Sequence, residues 1–140
     1  MAYWLLKTEP DEYSYDDLVQ EETDVWDGVR NPTALRHLRQ MRPGDEVFVY
    51  HSGKERAIVG IGRVVSEPYP DPAQGDPKLT VVDVRAVRRL PQPVTLAMIK
   101  GRPEFADWEL VRLPRLSVMP VKPAYWHSVL AIAGEGSGQV

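Results

Sequence analysis

Cysteine is absent from this 140-residue chain. That excludes disulfides, a thiol nucleophile and thiolate metal sites. Histidine is scarce, with only His37, His51 and His127, at no spacing that suits a metal ion. No apolar run approaches the ~18 residues of a membrane span. No secretory leader is legible, because Met1-Ala2 runs straight into a strand-like segment. A basic excess is missing too: the net charge is −3, which argues against indiscriminate binding of nucleic acid by the whole surface. The nucleophile elbow, the P-loop and the dinucleotide fingerprint do not occur. These absences predict a cytoplasmic protein with no cofactor, no metal and no membrane segment, and a monomer is expected.

What is present is ordinary for a packed domain, 43% apolar and 26% charged residues. One domain over residues 1–134 is expected, with a Gly-rich flexible tail at 135–140. The charge is unevenly spread. Residues 1–29 carry Lys7 against nine acids, and residues 30–63 carry seven bases against Asp45, Glu46 and Glu55. The boundary falls in Trp26-Asp27-Gly28-Val29-Arg30-Asn31-Pro32, a polar loop that ends in a helix-start signal, Asn at the cap and Pro at the first helical position.

Periodicity predicts the elements. Tyr3–Thr8 alternates as a strand, and Ser14 to Asp17 forms a capping box for a helix to about Gln20. An acidic loop follows. The helix after Asn31 places Ala34, Leu35, Leu38 and Met41 on one arc, with Arg36, His37 and Arg39 opposite. Strands are expected at 46–51, 57–65, 79–89 and 116–119. Pro91 and Pro93 end the long one, and a Pro-rich loop covers 67–78. Gly60 and Gly62, inside a strand, predict a sharp bend or close approach by another chain segment. Short helices are expected at 95–100 and 102–108, with a terminal helix at 124–133. Strands spread along the chain and joined by short turns suit an α+β domain built like a small barrel, not a doubly wound sheet.

Each polar residue near the loop has an ordinary structural role open to it. Trp26 can be core, Arg30 can pair with Asp27, Asn31 can simply cap. Together they suggest more. Lys7, Thr8 and Glu9 end one strand, Tyr50, His51 and Ser52 end another, and Trp26 to Asn31 lies between. If these ends converge, the cleft offers a stacking ring, a cation, hydroxyl and amide donors and a carboxylate. That chemistry suits a stacked nucleobase read on its edge. Two other readings stay open: an enzyme using His51 or Glu9 as acid/base, and a protein-interaction domain using the basic face at Arg36 and Arg39.

At these residues the chain resembles a known family, the EVE domain. The matching stretches are Tyr3 to Pro10 (YWLLKTEP), Trp26 to Asn31 (WDGVRN), Leu38 and Met41 with Pro43-Gly44-Asp45, and Tyr50 to Gly53 (YHSG). They continue with Val59 to Ile61, Tyr69 to Pro72 (YPDP), Val82 to Val84, Pro93 to Leu96 and Arg115 to Val118 (RLSV). The resemblance implies a PUA-like fold, a mixed β-barrel or pseudobarrel of five to six strands with short helices around it. It also implies a non-catalytic reader of a modified or flipped-out base in DNA or RNA, held in an aromatic-lined pocket. By position, Trp26 becomes the stacking residue. Lys7, Thr8, Asn31, His51 and Ser52 become edge or phosphate contacts, and Arg30 a phosphate contact or loop brace; Glu9 and Tyr50 join the ligand contacts from the same strand ends, and Arg36 and Arg39 are expected as nucleic-acid contacts on the basic helix face. The sequence departs from the family pattern in a short loop at Ala73 to Asp76 and in Leu79, which stands where a Trp is usual.

Overall fold

The structure is a computed structural model, described over residues 2–135. In chain order it forms β1 (Tyr3–Thr8), α1 (Tyr15–Glu21), β2 (Thr23–Trp26), α2 (Pro32–Gln40), β3 (Glu46–His51), β4 (Ala57–Val64) and β5 (Tyr69–Pro70). These are followed by β6 (Thr80–Thr95), α3 (Leu96–Lys100), α4 (Glu109–Arg112), β7 (Val118–Val121) and α5 (Pro123–Ile132), with a 3-10 turn at Pro103–Phe105. The fold is α+β, as expected.

The strands make one mixed sheet of seven, in the order β2-β6-β4-β3-β1-β7, with β5 paired to β6 off that path. β1 runs parallel to β3, and the other neighbours are antiparallel. β2 and β7 stand at the two ends of the path, so the sheet is not closed into a barrel. Seven strands replace the five or six expected. The additions are β2 and β5, both too short to show a periodicity.

Three differences have local causes. β2 lies in the stretch that reads as an acidic loop. Only Trp26 is buried there, so its four residues lack an alternating apolar face. β6 runs through Pro91 and Pro93 to Thr95. Its pairing with β4 shifts register between Ile58 and Gly60, and a proline is tolerated where no ladder N–H is required. β7 begins two residues later than expected and includes Pro120, which an edge strand accommodates for the same reason.

Gly60 shows why a glycine sits in a buried strand. A Cβ there would lie 2.5 Å from the Tyr15 ring. Tyr15 is fully buried, and its hydroxyl donates to the Ile61 carbonyl at 2.7 Å. The ring thus uses the space that Gly60 leaves, and α1 is anchored to β4. Gly60→Ala is expected to cost about 1–3 kcal/mol through overpacking, read as a lower denaturant midpoint. An unchanged midpoint would mean that Tyr15 moves aside without penalty.

On the opposite side, Trp126 of α5 lies between two rings. It stacks on Phe48 at 3.8 Å and on Tyr3 at 4.4 Å between centroids. This packs α5 across β1 and β3 and leaves the C-terminal end of β1 free for other contacts. Beyond α5, Glu135 pairs with Arg88. The rest of the expected tail, 136–140, lies outside the described residues.

Candidate functional site

The end of β1 meets the end of β2 through the segment between them. Thr8 Oγ1 donates to the Tyr13 carbonyl at 2.7 Å. The Tyr13 ring meets Trp26 edge-on, with centroids 6.2 Å apart and planes at 89°. Its hydroxyl donates to Asp24 Oδ2 at 2.6 Å. Burial and that hydrogen bond both push the Tyr13 phenol well above the usual tyrosine value, so it remains a neutral donor. On the other flank, the backbone N–H of Lys7 donates to the Ser117 carbonyl at 2.9 Å, ahead of β7.

These contacts frame a cleft of about 430 Å³. Its walls are Lys7 and Thr8 from β1, Tyr13, the run Asp24 to Arg30, and Ser117. The run leaves β2 and turns at Gly28, whose φ of +79° is a backbone conformation that glycine adopts without strain. Trp26 is a wall, not a projecting ring, at 6% exposure. Asp24 is engaged twice, since Oδ1 accepts from the Val25 N–H at 2.8 Å. Asp27 is exposed in the same lining.

Lys7 lies 5.4 Å from the centroid of the Tyr50 ring, and its Nζ donates to the Pro114 carbonyl at 2.9 Å. Two of its three N–H bonds remain for a ligand. Burial lowers its pKa below the usual lysine value. The sign follows from proton linkage. The unfolded chain holds the Lys7 proton more tightly, so this group's contribution to stability rises with pH up to about 10.5. Affinity for an anion at Lys7 should fall across the same window. A Lys7→Met variant is expected to lose that alkaline decline in binding, and an unaltered pH profile would remove Lys7 from the anion contact.

The structure brings four of the expected residues into the cleft, Lys7, Thr8, Trp26 and Arg30. Seven others lie off its lining. Glu9 turns back on its own loop, where Oε1 accepts from the Asp11 N–H at 3.3 Å. The Asn31 side chain accepts from the Ala34 N–H at 3.0 Å as the α2 cap. Tyr50 is buried behind Lys7. The Ser52 N–H donates to the Thr8 carbonyl at 2.9 Å. His51 is buried and accepts the Tyr15 N–H on Nε2 at 3.0 Å, which puts its proton on Nδ1, 2.8 Å from Glu55 Oε1. His51 therefore holds the start of α1. His51→Ala is expected to cost about 1–3 kcal/mol, because the buried Tyr15 N–H loses its acceptor, while affinity per folded molecule stays constant. Weaker binding in the fully folded variant would return His51 to the site.

Arg30 and Arg39 reach the Pro-rich loop. Arg30 Nη2 donates to Gln74 Oε1 at 3.4 Å, and Arg39 Nη2 donates to the Lys78 carbonyl at 3.0 Å. Arg36 stays exposed on the outer face of α2. Leu79 lines a smaller recess that shares Gly28, Val29 and Arg30 with the cleft. The ring facing Trp26 is instead Tyr13, which sequence reasoning missed together with Asp24 and Ser117. Ser117 had a signal, its place in the Arg115 to Val118 stretch. Tyr13 and Asp24 had none, lying among acidic residues that read as solvated surface. Among the described residues, no group of three or more His, Asp or Glu side chains is placed to hold a metal ion. No helix among the described residues is long and apolar enough to cross a membrane.

A small α+β domain with an open mixed sheet, and with one cleft where strand ends meet, has the PUA-like architecture. Sequence comparison makes the assignment specific. The chain belongs to the EVE domain family, whose profile matches residues 2–132. Human thymocyte nuclear protein 1 is 32% identical over 94% of this chain and 73% of its own length. A Rhodopseudomonas palustris protein solved by NMR is 43% identical, with a TM-score of 0.91 over 96% of this chain and 94% of that one. The human THYN1 protein, crystallised in complex with DNA containing 5-methylcytosine, is 31% identical, with a TM-score of 0.88 over 96% of this chain and 99% of that one.

Proposed function

We propose that this chain is a non-catalytic reader of nucleic acid, DNA or RNA, that takes a modified or flipped-out base into the cleft between Lys7, Trp26 and Ser117. The observation that carries the reading is the composition of that cleft. Two rings, Tyr13 and Trp26, meet inside it, and Lys7 and Arg30 supply cations at its lining. The relative crystallised with 5-methylcytosine DNA supports the same class of ligand.

A base entering the cleft lays its ring against Trp26 and the Val25 and Val29 side chains. A stacked base is worth about 1–3 kcal/mol. Its edge meets the Asp24 and Asp27 carboxylates, which accept from an exocyclic amine such as the N4 amino group of cytosine. The Thr8 hydroxyl already donates to Tyr13, so towards a ligand it acts as an acceptor. Lys7 and Arg30 meet phosphates, which position the strand without reading sequence. His51, the cross-strand partner of Thr8, lies off the cleft lining with both ring nitrogens engaged by the Tyr15 N–H and Glu55, so neither Thr8 nor Ser117 has a free imidazole base, which supports binding over turnover. The protein is read as a monomer acting in the cytoplasm.

The test is calorimetric titration with matched oligonucleotides that differ only in one base, cytosine or 5-methylcytosine. The modified strand should bind at least several-fold more tightly. Equal affinity for both, across a panel of further modified bases, would refute the reading.

A further inference from the structure

Beside the base cleft lies a second, more open groove of about 380 Å³. Its walls include Asn31 and Thr33 at the start of α2, and Arg112, Pro114 and Arg115 from the α4–β7 connection. The walls of the two recesses are joined. Asn31 follows Arg30 of the cleft, and the Pro114 carbonyl accepts from Lys7 Nζ at 2.9 Å. Two residues beyond Arg115, Ser117 returns to the cleft wall. The groove is lined by two arginines and by no carboxylate.

Both arginines are exposed. Among the described residues, the Arg112 guanidinium makes one hydrogen bond, Nε–H donating to the Asp107 carbonyl at 2.9 Å, and no ion pair. The arginines on and just after α2 are differently placed, with Arg36 exposed on the outer face of the helix. Arg39 donates to the Lys78 carbonyl, and Arg42 donates to the Arg39 and Met41 carbonyls and lies 3.9 Å from Glu67. Apart from Lys7 and Arg30 in its lining, the cations beside the cleft are on the 112–115 connection, and neither recess is lined by Arg36 or Arg39.

We propose that Arg112 and Arg115 form a phosphodiester-binding site that holds the strand flanking the inserted nucleotide. This deepens the base-reader reading above and rests on it. The backbone of a strand whose base occupies the cleft leaves at the mouth shared by Lys7 and Arg30. A neighbouring phosphate then meets the guanidinium forks of Arg115 and Arg112, which suit bidentate contact with phosphate oxygens. Such contacts carry no base information, so they raise affinity for a strand and leave a free nucleoside unaffected.

The experiment compares the wild type, Arg115→Gln, Arg112→Gln/Arg115→Gln and Arg36→Gln/Arg39→Gln. The probes are two matched short single-stranded oligodeoxynucleotides, one with cytosine and one with 5-methylcytosine at a single position, across a salt series, and 5-methyl-2′-deoxycytidine alone. Loss of one phosphate contact should flatten the log–log salt slope by about 0.7, and loss of two by about 1.4. The expected result is that flattening in the single and double groove variants, with nucleoside affinity unchanged and the α2 pair close to wild type. Unchanged slopes in both groove variants, or flattening in the α2 pair instead, would overturn the proposal. If oligonucleotide slopes flatten as expected while no variant prefers the modified strand, the phosphate site stands and the base-reader reading falls.

Discussion

Trp26→Ala is expected to abolish measurable binding of a modified-base oligonucleotide, the largest functional effect of any single substitution in the cleft. Two losses combine. The base loses its stacking wall, worth about 1–3 kcal/mol, or roughly 5- to 150-fold in affinity. Trp26 is also 6% exposed, pairs with Val82 across β2–β6 and supports Tyr13 edge-on. Truncating a buried Trp costs about 3–5 kcal/mol of stability, a large share of the 5–15 kcal/mol typical of a domain. Trp26→Phe separates the two terms. It keeps an aromatic ring against Tyr13, so it should fold with a modest loss and still bind several-fold more weakly. Wild-type affinity in folded Trp26→Phe and Trp26→Ala samples would remove the stacking role.

The largest effect on stability away from the cleft is expected at Asp45. This carboxylate is 5% exposed and accepts three hydrogen bonds. The Ala2 N–H reaches Oδ1 at 3.0 Å, and the Trp4 indole N–H and the Arg42 N–H reach Oδ2 at 2.9 and 3.0 Å. It ties the start of β1 to the turn before β3 and so sets the parallel register that pairs Lys7 with Tyr50. Asp45→Ala strands all three donors, including a buried indole N–H, and should cost about 2–4 kcal/mol. Asp45→Asn keeps one acceptor oxygen and should lose less. Chemical denaturation checks both, with the midpoint falling at constant slope. A loss below about 1 kcal/mol in Asp45→Ala would mean that water replaces the carboxylate.

The parts of the fold with strong local signals were legible in the sequence. The Ser14 capping box, the Asn31-Pro32 helix start and the alternation over 3–8 and 46–51 all correspond to observed elements. Gly60 announced a close approach, although only the structure shows that Tyr15 makes it. β2 was not legible, because its pairing with β6 is a long-range fact and its composition is that of an acidic loop. The same limit applies to the site. Lys7, Thr8, Trp26 and Arg30 fall together in the cleft, as the converging strand ends implied. His51 and Ser52 sit at an equally promising strand end, but the chain from Glu9 to Tyr15 crosses it and takes them as anchors. His51 receives the Tyr15 N–H, and Ser52 bonds back to Thr8. Which of two polar strand ends stays open depends on where the next segment packs, and local pattern does not encode that. Ser117 reaches the cleft only through the β1–β7 pairing, 110 positions from Lys7 along the chain.

The most direct test of the account is an amide and indole NMR titration of the isotope-labelled protein with a short single-stranded oligonucleotide carrying one 5-methylcytosine. The account predicts that shifts concentrate at Lys7, Thr8, residues 24–30 and residues 112–117, with the Trp26 indole resonance among the largest and the Trp4 and Trp108 indoles unmoved. Shifts centred on the outer face of α2 at Arg36 and Arg39, with the Trp26 indole unchanged, would contradict it.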